Sequence, residues 1–263
     1  MTIPPRLTPD MALFLDFDGT LVEIAEKPDA IYLEPVMAEC LLQTYHGLNG
    51  ALALISGRSI RELDYYLNPT VLPAAGLHGL ERRLSLEEGI VALDSWPGVC
   101  ELKEKLILSG VLHGGVVLED KGSALAVHYR ACPEREADVR GTLCDLAEQF
   151  PSLHVIFGNM VAEAKPKGED KGTAVRRFLE MPVFKNRLPV FIGDDVTDED
   201  GIRAVQELGG YGIKVGEQQS EAAFRLKDVE SVGVWLCQTY VERFFEMQAR
   251  QNLIDRQGTA ETG

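Results

Sequence analysis

The chain has 263 residues, of which 26 are basic and 41 acidic, giving a formal charge of −15 and a sequence pI near 4.8. Such a surface repels phosphodiester backbones and acidic membrane leaflets, which excludes nucleic acid and membrane surfaces as partners. A 45% hydrophobic content supplies a packed core and excludes a disordered chain, a collagen or a coiled-coil rod, while the length suits one large domain or two modest ones.

From the N-terminus, Met1–Asp10 contains no apolar signal segment and no later apolar run has the length of a bilayer span, so cytoplasmic residence is expected. Short apolar runs at Ala12–Leu15, Ala51–Ile55 and Val71–Ala75 read as strands buried on both faces, with helices at Pro35–Gly47 and Ser59–Leu67 between them. The middle of the chain changes character. A helix near Pro97–Leu108, alternating runs at Val116–Glu119 and Ala124–Tyr129, a helix at Glu134–Phe150 and strands at His154–Phe157 and Met160–Ala164 form an αββαββ order. That order suits an open antiparallel sheet with helices on one face. The first pattern then resumes with helices Lys171–Leu179 and Asp198–Leu208 and strands Pro189–Ile192 and Gly212–Val215. The expected fold is therefore α/β, a Rossmann-like parallel-sheet core over residues 1–95 and 166–263 with an α+β domain inserted over 96–165. Hinges are expected at Ser95-Trp96-Pro97 and Lys165-Pro166-Lys167, and a frayed tail over the last dozen residues, ending Gly258–Gly263. Cys40, Cys100, Cys132, Cys144 and Cys237 form no C-x-x-C pair and are odd in number, so free thiols are expected throughout.

The chemistry-bearing residues follow the strands. Asp16 and Asp18 come directly after Ala12–Leu15, at the sheet edge where open α/β folds bind ligands. Two carboxylates so spaced can divide labour, one attacking and the other protonating a leaving group. Ser56, after the second strand, is either the N-cap of the next helix or a donor to phosphate beside helix N–H groups. Lys165, Lys167 and Lys171 precede a helix, where an ammonium opposes the dipole and asks for an anionic counterpart. Gly193–Asp200 places Asp194, Asp195, Asp198, Glu199 and Asp200 after a strand end. Hard oxygen ligands gathered where a phosphate is expected point to Mg²⁺, although Glu199 and Asp200 suit the first turn of a helix equally well. There is no G-x-S-x-G elbow, P-loop lysine or zinc-ligand spacing.

These four segments in this order resemble the haloacid dehalogenase superfamily. The resemblance implies a phospho-aspartate on Asp16, acid–base work by Asp18, phosphoryl contacts from Ser56 and Lys171, and Mg²⁺ on Asp16, Asp194 and the Asp18 carbonyl, with Asp195 and Asp198 behind them. Over nearly the whole chain, Asp16–Leu21, Gly76–Glu81, Glu119–Gly122, His128–Arg130, Glu163–Gly168 and Gly193–Asp200 are similar to the trehalose-6-phosphate phosphatase family. That similarity makes the inserted domain a cap whose Glu119, Lys121, His128, Arg130 and Glu163 hold sugar hydroxyls. It also places Gly19, Thr20, Gly57, Arg58, His78, Glu81 and Lys167 against the substrate, a phosphorylated disaccharide. A monomer is expected. A sucrose-, mannosylglycerate- or hexose-phosphate phosphatase differs only in the cap, and a catalytically silent sensor lacks Asp16 or Asp18, both present here.

Overall fold

The computed structural model describes residues 3–25, 30–92, 98–158 and 160–237. The expected hinge at Ser95–Pro97 and the tail at Gly258–Gly263 lie outside the described residues. The core is a sheet of β1 (Met11–Leu15), β2 (Leu52–Ile55), β3 (Ala74–Gly76), β4 (Glu81–Arg83), β5 (Val91–Ala92), β10 (Leu188–Gly193), β11 (Tyr211–Val215) and β12 (Phe224–Leu226). Its order is β12-β11-β10-β1-β2-β3-β4-β5, with β4 and β5 antiparallel and the rest parallel. The chain leaves β1 toward β2 on one side and meets β10 on the other, so the order reverses at β1 and its carboxyl end faces a crevice. Every residue of β1, β2 and β11 is buried, which explains the unbroken apolar runs of β1 and β2, while β11 carries a buried lysine, Lys214.

Helices α1 (Pro35–Gly47), α2 (Ile60–Leu67), α5 (Lys171–Glu180) and α6 (Asp198–Glu207) accompany this sheet. Ser59 and Glu62 form a reciprocal capping box that starts α2, so the N-cap is Ser59 and not Ser56. Asp170 caps α5 by accepting from the Thr173 N–H. A second core of its own, with Leu102, Leu106, Leu125, Val127, Tyr129 and Leu143 among its members, lies between the helices α3 (Val99–Leu108) and α4 (Glu136–Ala147) and an antiparallel sheet. The strands β6 (Val117–Asp120), β7 (Leu125–His128), β8 (Leu153–Gly158) and β9 (Val161–Pro166) order as β6-β7-β9-β8. This is the αββαββ unit expected from the sequence, and β9 runs one residue past the expected boundary at 165.

The short strands β4, β5 and β12 and the helical residues 229–237 have no counterpart in the sequence reading. β3 begins at Ala74, three residues later than the apolar run that signals it. The cysteine expectation is also corrected: Cys40 and Cys237 form a disulfide, while Cys100, Cys132 and Cys144 are free. The two partners are 197 residues apart in sequence, and spacing rules see only local pairs. The terminal helix lies beside α1 and the N-terminal segment, with the Trp235 indole donating to the Pro5 carbonyl. Among the described residues no helix is long and apolar enough to cross a membrane.

Candidate active site

The crevice at β1 is a cleft of about 1060 Å³ floored by Asp16, Asp18, Lys171 and Asp194 and roofed by Glu119, Lys121, His128, Arg130 and Glu163 of the second sheet. Its size falls at the upper end of small-molecule sites. Asp16 sits at the end of β1, held by its N–H to the Ile192 carbonyl at 2.9 Å, and is buried. Lys171, at the first turn of α5, donates to Asp16 Oδ1 at 2.7 Å and to Asp198 Oδ1 at 2.6 Å. The carboxylates of Asp16, Asp194 and Asp198 each offer an oxygen within 4.8 Å of the others.

Burial, and after it the Asp198 carboxylate, pushes Asp16 well above the usual carboxylate range. Burial, then Asp198 and Asp195, pushes Asp194 up to about 7. Burial opposes the charge on Lys171, yet Asp16 and Asp198 outweigh it and hold the ammonium charged. One lysine thus leaves three gathered acids under-neutralised, and hard oxygens so placed suit a divalent cation. The loop geometry fits as well. Gly19 has φ +73°, and an ideal Cβ there would lie 2.2 Å from Asp194 Oδ2, so the acid occupies space that any side chain would take.

Asp18 faces a different partner. Arg58 Nε and Nη2 each donate to its carboxylate at 2.7 Å, so the Arg58 side chain is committed to Asp18. Ser56 is fully buried, and its Oγ accepts the Arg58 N–H at 3.1 Å, which shapes the turn after β2. Gly57 lines the cleft, and a Cβ there would stand 2.8 Å from the His78 Nε2. His78 lies 3.8 Å from Glu163 Oε2, and its Nδ1 is buried without a hydrogen-bond partner among the described residues. In the roof, Lys121 donates to Glu163 Oε2 at 3.1 Å and reaches the Gly57 carbonyl at 3.4 Å, so roof and floor touch through polar groups. The His128 Nε2 pairs with Glu119 Oε2 at 2.7 Å, a bond that holds Glu119 below its ordinary pKa. Arg130 reaches the Ala25 carbonyl at 3.4 Å.

Two expected substrate contacts stand elsewhere. Glu81 accepts the Ile60 N–H at 2.9 Å and so serves the start of α2. Lys167 is exposed and donates to the Pro151 carbonyl at 2.7 Å. Of the three candidate lysines only Lys171 is seen to bond Asp16. Lys165 is buried, and its pKa is lowered first by that burial. Gly19 and Thr20 form the turn after Asp18, with Thr20 Oγ1 buried and without a partner among the described residues. Asp195 lines the cleft and donates its N–H to Asp198 Oδ2 at 2.9 Å. Glu62 in the first turn of α2, Thr197 at the start of α6 and Gln218 also line it and are not among the expected residues, because nothing in a sequence pattern says which helix starts and turns converge on one cleft.

Residues 14–230 match the model of the family described as trehalose-phosphatase. The chain belongs to the trehalose-phosphatase family. Within it, the chain is 38% identical over 239 residues to the trehalose-6-phosphate phosphatase of Escherichia coli strain K12, covering 90% of this chain and 89% of that one. It is 41% identical over 207 residues to a probable trehalose-phosphate phosphatase of Sinorhizobium fredii, covering 78% and 77%. The fold agrees with that of the C-terminal domain of C. albicans trehalose-6-phosphate phosphatase, with a TM-score of 0.79 at 20% identity over 89% of this chain and 92% of that one. A haloalkanoate-superfamily phosphatase of Bacteroides thetaiotaomicron shares the fold at a TM-score of 0.61 and 16% identity, covering 89% and 96%. The trehalose-phosphatase core is thus a haloacid dehalogenase-type α/β sheet carrying a cap.

Proposed function

We propose that this chain hydrolyses trehalose 6-phosphate to trehalose and phosphate, as the 38% identical E. coli relative is named for doing. We take residues 1–95 and 166–263 as the catalytic core and 96–165 as the cap. The observation that carries the reading is the buried Asp16 carboxylate beside Lys171, at the floor of a cleft roofed by charged cap side chains. Asp16 attacks phosphorus in line, the bond to the sugar oxygen breaks, and Asp18 gives that oxygen its proton. Asp18 then takes a proton from water, whose oxygen attacks the phospho-aspartate and returns Asp16 with release of phosphate. Lys171 and the turn at Ser56–Gly57 meet the equatorial oxygens, so catalysis is positioning and charge neutralisation. The incoming phosphoryl group competes for Arg58, which frees Asp18 for proton transfer. A divalent cation, which we take to be Mg²⁺, would be held by Asp16, Asp194 and the Asp18 carbonyl, with Asp198 adjoining, and would neutralise phosphoryl charge. Glu119, Lys121, His128, Arg130 and Glu163 hold the sugar hydroxyls from above.

The test is phosphate release from trehalose 6-phosphate beside sucrose, glucose and mannosylglycerate phosphates, each with Mg²⁺ and with chelator, using Asp16→Asn as the blank. A Mg²⁺-dependent preference for trehalose 6-phosphate is expected, with Asp16→Asn slower by roughly 10⁴ or more. Equal rates across the panel would remove the cap assignment, and an active Asp16→Asn would remove the nucleophile.

A further inference from the structure

Lys214 is buried in the middle of β11, 1% exposed, where every neighbour in the strand is there to fill the core. An ammonium in that position is expensive unless it is paired. Its Nζ donates to the Asp194 carbonyl at 2.6 Å, reaches the Asp195 carbonyl at 3.3 Å and lies 3.8 Å from Glu199 Oε1. That Glu199 oxygen is buried and has no hydrogen-bond partner among the described residues. The pairing of β11 with β10 sets Lys214 opposite Gly193, the residue that leads into the acidic turn.

The Asp194 carbonyl and the Asp195 N–H belong to one peptide group. Lys214 holds its oxygen, and Asp198 Oδ2 accepts its N–H at 2.9 Å. Asp198 is itself anchored by Lys171 at 2.6 Å. The plane that follows the Asp194 Cα is therefore clamped at both ends by charged partners, which make the stronger hydrogen bonds. A clamped plane fixes the direction in which the Asp194 side chain leaves the backbone, here toward Asp16. Lys171 lines the cleft, whereas Lys214 is not part of its lining.

We infer that Lys214 is a positioning residue for the cation site, setting the aim of Asp194 without touching ion or substrate. The inference rests on the metal reading given above. Groups of this kind change metal affinity by about 10–100-fold when removed.

The experiment is Mn²⁺ titration of wild type, Lys214→Met and Lys214→Gln, followed by the electron paramagnetic resonance of free Mn²⁺, with circular dichroism and thermal midpoints taken in chelator. Lys214→Met is expected to bind Mn²⁺ about 10–100-fold more weakly while staying folded. Lys214→Gln, which keeps a donor without the charge, is expected to fall between it and wild type. In turnover, the half-saturating Mg²⁺ should rise by the same factor, with kcat returning to within a few-fold of wild type at saturating Mg²⁺. Unchanged Mn²⁺ affinity in a folded variant overturns the inference. Loss of the fold in both variants makes Lys214 a core support only and overturns it too. A wild type that binds no Mn²⁺ instead removes the metal reading on which it stands.

Discussion

His78 is held in a backbone conformation that non-glycine residues seldom adopt, with φ 51° at Leu77 and 55° at His78. Burial first, then the nearby Lys165, Lys171 and Lys121, lowers its pKa well below 6.5, so the native imidazole is neutral. In the unfolded chain the same ring takes up a proton as pH falls through about 6.5. Below that value the unfolded state binds a proton the native state refuses, and stability falls by up to about 1.4 kcal/mol per pH unit. Asp16 and Asp194, whose pKa values are raised, act with the opposite sign, so the quantity to read is a difference. His78→Asn keeps a residue that tolerates the left-handed backbone and removes the titration. Urea unfolding at pH 6.5 and 5.5, without metal, should show a smaller acid loss in His78→Asn than in wild type. An equal loss would mean that His78 is charged in the native protein.

At the level of elements, the turn after β1 and the turn after β10 interlock, and Gly19 is where they meet. Gly19→Ala places a methyl where Asp194 Oδ2 lies and also strains a φ of +73°. The half-saturating Mg²⁺ should rise roughly tenfold or more, on the pattern of disturbed ligand supports. Wild-type Mg²⁺ dependence in that variant would detach Asp194 from the ion. These turns are also the part most legible in the sequence, because a fully buried strand writes an apolar run and the acids begin where it stops. β1, β2, α1, α5 and α6 and the placing of Asp16, Asp18, Lys171 and Asp194 at one edge follow from that pattern. β4, β5 and β12 are only two or three residues long, too short to carry alternation. Ser56 and Ser59 are equally good caps by type, and only the reciprocal bonds with Glu62 choose between them. Glu81 reads as a cleft residue until its long-range bond to Ile60 is seen. Lys214 falls in an apolar run whose pattern reports burial and not the partner that makes it tolerable.

Across the whole molecule, the Cys40–Cys237 bond ties α1 to the terminal helix over a separation of 197 residues. Closing so long a loop removes unfolded-state entropy equivalent to about 5 kcal/mol in the chain-entropy account. Cys237→Ser should lower the thermal midpoint by on the order of 10 °C, and a reductant should do the same to wild type alone. Alkylation of the native protein should find Cys100 and Cys144 and spare the buried Cys132 until unfolding, with the other two thiols released only by reduction. A midpoint that neither treatment moves would remove the bond from the ledger of stability. β9 ends at Pro166 and α5 begins at Lys171, so a single short tether joins Glu163 in the roof to Lys171 in the floor. On the function proposed above, the tether is a gauge: its length would set how far a sugar hydroxyl can stand from the phosphorus that Asp16 would attack. One residue added or removed between Lys167 and Asp170 would reset that span and with it the size of sugar accepted, while both ends of the gauge kept their chemistry.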